Sequence, residues 1–535
     1  MKMNPSLRIA LLSIAVACSS ALLHHTPAHA DRVRIALDAD AATEPVSGRL
    51  VLHFITHRGP MWDGRSPLEA PFFERPQPLA SFAIESLKPG EVIELDLARA
   101  VAFPENLNNS LDGFARVQAV LDIDQTERAM LEGPGNIISD EIGMVFSAAS
   151  DDDVIELTLR DVVGATQMPE IRDLPNLKWV ECRSELLSEF YGRDVYHRAG
   201  VALPKTYDSQ DKAEREWPSV YIVPGFGDRQ ESAAGYAEMH LHAALEYVPQ
   251  AVFIVLDPES PLGHHGFVDS ANHGPRGTAL VNEFIPHLES QFRMKSSPEA
   301  RVLMGHSSGG WSTLWLQLNW EETFGSCWSL APDPVSFACF QFANLYTDAS
   351  LYSFAPLVPG NESPSYRVVD LEGRSVVYMT VREEYLMEHA IDPDGRSGQQ
   401  WAAWAAMFSP HNPKTGSPYP LADFKSGLID RAVVEHWRQF DIYNLIARDW
   451  ERHRPTLENK IHLLCGECDN YYLDRAVRHL KELVDIRVEG DGKAWQGPGV
   501  IEIVRYAAHD SIVALTTVRV HDEIMAHFRK HGLHD

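Results

Sequence analysis

Cysteine is scarce in this chain of 535 residues, with six in all. An odd number remains after residue 30, so at least one is unpaired within a monomer, and five are too few for a disulfide scaffold. These five are Cys182, Cys327, Cys339, Cys465 and Cys468. The last two have C-x-x-C spacing, but no second cysteine pair or close histidine pair follows to complete a metal site. We therefore expect a local disulfide or buried thiols there, and no metal.

Positive charge is also scarce. The chain has 47 Lys and Arg against 75 Asp and Glu, a formal net charge of −28. This balance disfavours a nucleic acid or an anionic membrane as partner. A hydrophobic content of 44% and a charged content of 23% are those of an ordinary globular protein. The length exceeds what one core serves, so two or three domains are expected.

Long hydrophobic runs are missing too. The apolar stretch at residues 9–23 is too short for a membrane span, and no later stretch reaches that length without charges. Basic residues precede this stretch, and small residues at 28–30 suit cleavage, so residues 1–30 are interpreted as a signal peptide of a secreted or periplasmic protein. The alternative is a lipoprotein processed at Cys18, which lacks the usual leucine-like residue before it. The mature chain then has no transmembrane segment.

Residues 31–165 have the pattern of strands alone. Short segments rich in β-branched residues are separated by turn-forming stretches, and no amphipathic helix of useful length occurs. The pattern predicts an immunoglobulin-like β-sandwich without a visible catalytic constellation.

The pattern changes near residue 178, where apolar strands begin to alternate with helices. "SVYIV" and "AVFIVLD" are continuously apolar, as strands buried on both faces are. Residues 278–292 place apolar side chains along one helical face. Residues 178–535 are therefore predicted to form an α/β domain with a mostly parallel sheet.

A nucleophile motif lies in this second domain, within "RVLMGHSSGGWSTLWL". A serine, Ser307, has glycines two residues away on both sides, Gly305 and Gly309, between an apolar strand and a helix. This is the G-x-S-x-G elbow, in which a strained turn exposes the serine hydroxyl and close approach of strand and helix excludes side chains at the glycines. The alternative is an ordinary glycine-rich connection.

An elbow serine needs an acid and a base later in the chain. Asp469 ends the strand "KIHLLCGECD", and His509 follows the strand "GVIEIVRYAAH". Both fall at the edge where open parallel sheets bind ligands. Glu467 and Asp474 flank the acid position and remain alternatives.

Other residues near the base position have simpler interpretations. Asp510 is expected to cap the following helix. His521, His527 and His531 are late enough to be the base, but are expected to face solvent on that helix.

An oxyanion hole requires two backbone amides close to the serine. Ser308 supplies one, and the loop "VPGFGD" after an earlier strand supplies the other through Phe226.

Residues 178–535 resemble the "putative esterase" family of α/β-hydrolases, which includes esterase D, feruloyl esterases, enterochelin esterases and mycolyltransferases. The resemblance lies in "RSELLSEFYGRDVYHRAGVALPKTYD", "VPGFGD", "LMGHSSGG", "LLCGECDNYYL" and "AAHDS". It implies an α/β-hydrolase fold and the roles of nucleophile, acid and base for Ser307, Asp469 and His509. Two departures are Pro224, where a histidine often precedes the loop glycine, and a long insertion.

The insertion covers about residues 334–455. Its segment "WAAWAAMF" places Trp401 and Trp404 on one helical face. This stripe is either part of the core or part of a lid that shapes the substrate pocket.

The leading hypothesis is an exported serine esterase that cleaves small-molecule or glycan-linked carboxylic esters without a metal or organic cofactor. The alternatives are an acyltransferase to a sugar or lipid alcohol, and a binding protein that retains the fold without the chemistry.

Overall fold

The computed structural model describes residues 32–533 apart from short segments. The exceptions are residues 58–61, 63, 70–74, 106, 112, 125, 127–130, 132, 147–153, 165–173, 211–213, 243–246, 355–360 and 371. The predicted signal peptide and the alternative lipoprotein site at Cys18 lie outside the described residues. Within them, no helix is both long and apolar enough to span a bilayer.

The N-terminal region is built of strands in its described part. They are β1 (Arg32–Leu37), β2 (Val46–Ile55), β3 (Leu79–Leu87), β4 (Val92–Asp96), β5 (Val101–Phe103), β6 (Gly113–Asp122), β7 (Ile137–Ser139), β8 (Ile142–Phe146) and β9 (Val154–Val162), with the short helix α1 (Leu107–Ser110). Their order is β4-β1-β9-β7-β6-β2-β3-β5, and β8 pairs with β6. The β1–β9 pair is parallel and the other pairs are antiparallel.

These strands belong to one hydrogen-bonded sheet, whereas a β-sandwich has two separate sheets. The link is β7, which pairs with β6 on one side and β9 on the other. Alternate residues of distant strands, such as Ile35, Leu52 and Val117, share one buried core, so the sheet curves around it. The β-rich N-terminal region is confirmed, but its division into two sheets is not.

The second region has further strands. They are β10 (Leu177–Arg183), β11 (Tyr196–Ala202), β12 (Ser219–Val223), β13 (Val252–Leu256), β14 (Asp269–Ser270), β15 (Gly274–Pro275), β16 (Arg301–His306), β17 (Ser326–Leu330), β18 (Pro364–Val369), β19 (Ser375–Thr380), β20 (His411–Asn412), β21 (Ser417–Pro418), β22 (Ile461–Gly466) and β23 (Val500–Val504). The main sheet has the order β10-β11-β13-β12-β16-β17-β22-β23. Its first two pairs are antiparallel and the other five are parallel.

Helices follow most strands of this sheet. They are α2 (Glu185–Tyr191), α3 (Ala233–Leu241), α4 (Arg276–Ala279), α5 (Ile285–Gln291), α6 (Ser308–Asn319), α7 (Val381–Ile391), α8 (Gln400–Phe408), α9 (Arg431–Trp437), α10 (Ile442–Arg448), α11 (Trp450–Lys460), α12 (Asp474–Asp491) and α13 (Ser511–Lys530). The helix predicted over 278–292 is present as α4 and α5 joined by a π-helical segment, Leu280–Phe284. All side chains of β12 and β13 are buried, as expected for strands covered on both faces.

The insertion between β17 and β22 contains β18 to β21, α7 to α10 and part of α11. Its helix α7 packs against β3 and β5 of the N-terminal region. A small apolar cluster seals this contact, formed by Leu79, Phe103, Met379, Met387, Ala390 and Ile391. The N-terminal region is thus attached to the insertion, and α7 links it to the residues that surround the site described next.

Candidate active site

Ser307 occupies a strained turn between β16 and α6. Its backbone has φ 58° and ψ −125°, a conformation that costs free energy for a residue with a side chain. The Ser307 N–H donates to Leu330 O at 2.9 Å, and the Ser307 carbonyl accepts from Asp333 N at 3.2 Å. These bonds, to the last residue of β17 and to the segment after it, hold the turn in place.

The glycines on either side of Ser307 are required by space. A Cβ at Gly305 would lie 2.3 Å from Gly309 O, and a Cβ at Gly309 would lie 1.9 Å from Val223 O. Real Cβ atoms do not approach oxygen so closely, so a side chain at either position would push α6 away from the sheet. The spacing predicted from the sequence therefore has the physical cause expected of an elbow.

His509 and Asp469 form a buried pair at the same sheet edge. His509 Nδ1 lies 2.8 Å from Asp469 Oδ2, and the two side chains are 5% and 0% exposed. The other carboxylate oxygen, Oδ1, accepts from Tyr471 N at 2.9 Å and Leu473 N at 3.1 Å. With both oxygens engaged, the carboxylate is fixed in orientation and directs the proton of the imidazole to Nδ1.

The backbone of His509 is also held. Its N–H donates to Asn470 Oδ1 at 3.0 Å, and its carbonyl oxygen lies 2.9 Å from His306 Nε2. The His306 ring stands 4.5 Å from the His509 ring, centroid to centroid. His306, inside the elbow, therefore supports the position of His509.

The pKa of His509 is raised above its ordinary value. Burial of the ring opposes its charge and lowers the pKa, but the charge of Asp469 and the hydrogen bond to it outweigh burial. Asp510 and Asp333 act in the same direction. The site thus stabilises the imidazolium that forms when His509 accepts a proton.

Ser307 and His509 line one cavity of about 270 Å³. No hydrogen bond joins Ser307 Oγ to His509 within the part of the chain that the structure describes. Such bonds are often long in free enzymes and shorten when substrate binds.

The predicted oxyanion loop lies directly against Ser307. A Cβ at Gly225 would be 3.2 Å from Ser307 Cβ, and Phe226 lines the cavity. Ser308 begins α6, where N–H groups have no acceptor within the helix. Both predicted donors, Phe226 and Ser308, are therefore close to Ser307.

Sequence reasoning missed the support of this loop. His264 is fully buried, and its Nε2 lies 3.0 Å from the carbonyl oxygen of Pro224. Since His264 Nδ1 accepts from Gly266 N at 3.1 Å, Nε2 is assigned the proton and donates. A histidine distant in sequence thus fixes the residue before the loop glycine.

The alternative acids are engaged elsewhere. Glu467 is exposed, and its Oε2 accepts from Tyr506 N at 3.4 Å. Asp474 is buried and pairs with Arg367 and Arg478, at 3.4 Å and 3.1 Å. Among the described residues, Asp469 is the carboxylate that bonds the His509 ring.

Two expectations about the neighbouring helix are wrong. Asp510 precedes α13 but makes no side-chain capping bond, and instead lines the cavity. His521 is 2% exposed and packs against Tyr247 and Phe253, because α13 lays this face on the core.

The cysteines of the C-x-x-C segment are not bridged. All five cysteines of the described chain are free thiols. Cys465 points into the core with no exposed surface, whereas Cys468 is partly exposed. The turn before Asp469 is therefore held by amide hydrogen bonds rather than by a disulfide.

The two tryptophans of α8 differ in environment. Both are 3% exposed, and their rings meet edge to face at 5.0 Å. Trp404 borders the cavity, and its Nε1 donates to Asp333 Oδ2 at 2.7 Å. Trp401 borders a separate cavity of about 160 Å³. Both tryptophans are thus part of the hydrophobic core, and of the two only Trp404 lines the cavity at Ser307.

Asp333 is a second residue that the sequence did not single out. It follows β17 at the active edge and is 5% exposed. Ser308 Oγ donates to its Oδ2 at 2.7 Å, as Trp404 does. Burial raises the pKa of this carboxyl, although both hydrogen bonds oppose the rise. The acid at the end of the strand "SCWSLAPD" was the available signal.

The insertion contacts the turn that carries Asp469 and Asn470 directly. Arg367 of β18 donates from Nε to the carbonyl oxygen of Asp469 at 2.9 Å. Its backbone N–H donates to Asn470 O at 2.9 Å, and its carbonyl accepts from Asn470 Nδ2 at 2.8 Å. Because Asn470 also accepts from His509 N, the insertion is coupled to His509.

Three of these residues also have the spacing of a metal site. One potential ligand atom from each of His306, His509 and Asp510 lies within 4.8 Å of the others. The ring nitrogens His306 Nε2 and His509 Nδ1 are already hydrogen-bonded, which leaves one nitrogen on each ring.

Residues 194–413 match the family model described as "Putative esterase". Over these residues the chain resembles esterases of this family. The predicted family and the predicted enzyme class, a carboxylic ester hydrolase, are confirmed by the match. It contains Ser307 and the oxyanion loop but ends before Asp469 and His509, so it leaves the acid and base as predictions.

Solved structures that resemble the chain have low identity. A ferulic acid esterase is 12% identical with a TM-score of 0.38, over 66% of this chain and 99% of that one. An S-formylglutathione hydrolase from Agrobacterium tumefaciens is 14% identical with a TM-score of 0.35, over 65% and 94%. A fluorophosphonate-binding serine hydrolase from Staphylococcus aureus is 12% identical with a TM-score of 0.33, over 65% and 98%.

The contact at Gly309 gives a first prediction. Gly309→Ala is expected to lower turnover on the order of 10²-fold, because displacement of α6 misplaces Ser307 and the Ser308 amide. It should also cost roughly 1–3 kcal/mol of unfolding free energy. Ester hydrolysis and urea denaturation measure the two effects. Gly235→Ala is the matched control, since a Cβ there meets nothing within 4 Å, and wild-type activity in Gly309→Ala would contradict the elbow.

The His509–Asp469 pair gives a prediction about pH. Only the neutral imidazole can accept a proton, so a raised pKa moves the rising limb of the kcat/KM profile to higher pH. The midpoint for an uncharged ester is expected above 6.5, the ordinary value of the histidine pKa. Asp469→Asn should lower the midpoint, because it removes the largest of the charges that oppose the effect of burial on the pKa of the ring. Glu467→Gln should leave it in place, and the reverse pattern would identify Glu467 as the acid.

Proposed function

We propose that the esterase is a serine hydrolase that forms an acyl-enzyme on Ser307. The observation that carries this proposal is the buried His509–Asp469 pair at the cavity where Ser307 stands on a strained elbow. A histidine held this way is a general base suited to a serine hydroxyl.

In the first half of the reaction, Ser307 Oγ attacks the ester carbonyl carbon and His509 Nε2 accepts the hydroxyl proton. The carbonyl π electrons move to oxygen, and the amides of Phe226 and Ser308 donate to this oxyanion. When the intermediate collapses, the bond to the alcohol oxygen breaks. His509 gives its proton to that oxygen, and the acyl group remains on Ser307.

In the second half, water replaces the alcohol. His509 removes a proton from water as its oxygen attacks the acyl carbon, and the same proton returns to Ser307 Oγ when the acid leaves. Asp469 holds the imidazole orientation and stabilises the imidazolium in both halves, without itself accepting a proton.

We also propose that the protein is exported to the periplasm or secreted. This rests on the signal-peptide pattern of residues 1–30. Small-molecule and glycan-linked esters are the proposed substrates. In this proposal the N-terminal sheet, a candidate sandwich, serves to anchor the insertion.

The nucleophile is tested with a fluorophosphonate probe, which forms a covalent bond with an activated serine. The probe should label wild type on the peptide containing Ser307 and should not label folded Ser307→Ala. Ser308→Ala should still be labelled, because its hydroxyl binds Asp333 and the proposed mechanism uses only its amide. Labelling at Ser308, or no labelling of folded wild type, would contradict the proposal.

The acid and base are tested by turnover. His509→Ala and Asp469→Asn should each lower kcat on the order of 10³-fold or more. Circular dichroism establishes that the variants are folded. Full activity in folded His509→Ala would remove His509 from the mechanism.

A further inference from the structure

The cavity at Ser307 is acidic on more than one side. Carboxyl groups line it from the oxyanion loop (Asp228), the segment after β17 (Asp333), helix α7 (Glu384) and the start of α13 (Asp510). No lysine or arginine is among the described residues that line it.

The proposed reaction uses none of these four carboxyl groups, and Glu384 is the one that lies on the insertion helix α7. It is 1% exposed, and Ser365 Oγ donates to its Oε2. The indole N–H of Trp401 is a second donor to this carboxyl group, and the side chain also borders the cavity. Glu388, one turn later on α7, has both of its oxygens bonded to the first N–H groups of α8. Glu384 therefore offers an acceptor to the cavity, whereas Glu388 is structural.

A buried acceptor without a hydrogen-bond partner belongs to another residue of the same cavity wall. Gln341 is 2% exposed, its backbone φ is 52°, and its Oε1 is buried without a hydrogen-bond partner among the described residues. Asp333 uses only Oδ2 for its two hydrogen bonds. Buried acceptors are normally satisfied by a partner, so these oxygens of the wall favour a ligand that donates hydrogen bonds.

The nearest guanidinium groups are turned to other acceptors. Arg229, beside the oxyanion loop, pairs with Asp257 at 3.1 Å. Arg367 binds Asp469 O and Asp474, and Arg475 donates to the carbonyl of Gln341 at 2.9 Å. They do not supply the missing donors.

We propose that the ester substrate carries a protonated amine, and that this ammonium group binds Glu384 with Asp333 and Gln341 as further acceptors. The inference rests on the proposed function, because it concerns the substrate of the same site. The amine belongs to the acyl part, as in an aminoacyl ester, or to the alcohol part, as in an amino-alcohol ester.

Electrostatics favour this group over others. An ammonium supplies three donors and a charge opposite to that of the wall. A carboxylate or phosphate would be desolvated beside like charges, which is costly. Burial raises the pKa of Glu384 to about 7, and an adjacent cation would restore its charged form.

The test is a set of 4-nitrophenyl esters with acyl chains of matched length ending in ammonium, methyl or carboxylate. The kcat/KM of the ammonium ester should exceed that of the methyl ester on the order of tenfold, and the carboxylate ester should be slowest. A second set, butyrate esters of an amino alcohol and of its methyl analogue, establishes which part of the ester carries the amine. A preference in either set supports the proposal.

The variant Glu384→Gln should bring the ammonium-to-methyl ratio close to one, whatever its absolute rate, because the ratio cancels changes common to both esters. The matched control is Glu435→Gln, which removes one negative charge from an exposed carboxyl on α9 that pairs with Arg438 at 3.0 Å. This control should keep the wild-type ratio of ammonium to methyl ester. A quaternary ammonium ester, which has the charge but no N–H donor, distinguishes recognition of charge from recognition of hydrogen-bond donors.

Equal rates for ammonium and methyl esters in both sets, or a preference that survives in Glu384→Gln, would overturn the inference and leave the proposed function standing. No turnover of any ester together with no fluorophosphonate labelling would overturn both. If Glu384→Gln does not fold, the wild-type comparison decides alone.

Discussion

The hydrogen bond from His509 Nδ1 to Asp469 Oδ2, 2.8 Å long and closed to solvent, is the contact on which the site depends. A carboxylate buried this fully is costly unless each oxygen has a partner. The imidazole supplies one, and the amides of Tyr471 and Leu473 supply the others. The pair can exist only where β22 and β23 end side by side, so the sheet order determines where the chemistry can occur.

The insertion is part of this arrangement. Its first strand bonds the acid turn through Arg367 and Asn470, while α8 brings Trp404 to Asp333 behind the elbow. Helix α7 places Glu384 in the cavity and packs its other side on the N-terminal sheet. The N-terminal sheet, which contributes no residue to the cavity in its described part, therefore supports the cavity wall through α7.

The elbow could be predicted from the sequence because its cause is local: strand, glycine, serine, glycine and helix lie within one short segment. Asp469 and His509 could be expected at one edge because parallel strands bring their carboxyl ends together there. Glu384 and His264 could not be found this way, since their positions come from packing between segments far apart in sequence. Asp333 had a signal in the sequence, an acid at the end of a strand, but its partners Ser308 and Trp404 are known only from the fold. For the same reason the strand pattern did not reveal that β7 joins the N-terminal strands into one sheet.

The central claim is that the acyl group of the ester passes through Ser307. Rapid acid quenching of the protein during ester turnover, followed by peptide mass spectrometry, tests it most directly. The account predicts one added acyl mass on the peptide containing Ser307, formed and lost at rates at least as fast as turnover and absent from Ser307→Ala. Steady hydrolysis with the acyl group on another residue, or undiminished hydrolysis by Ser307→Ala, would contradict it.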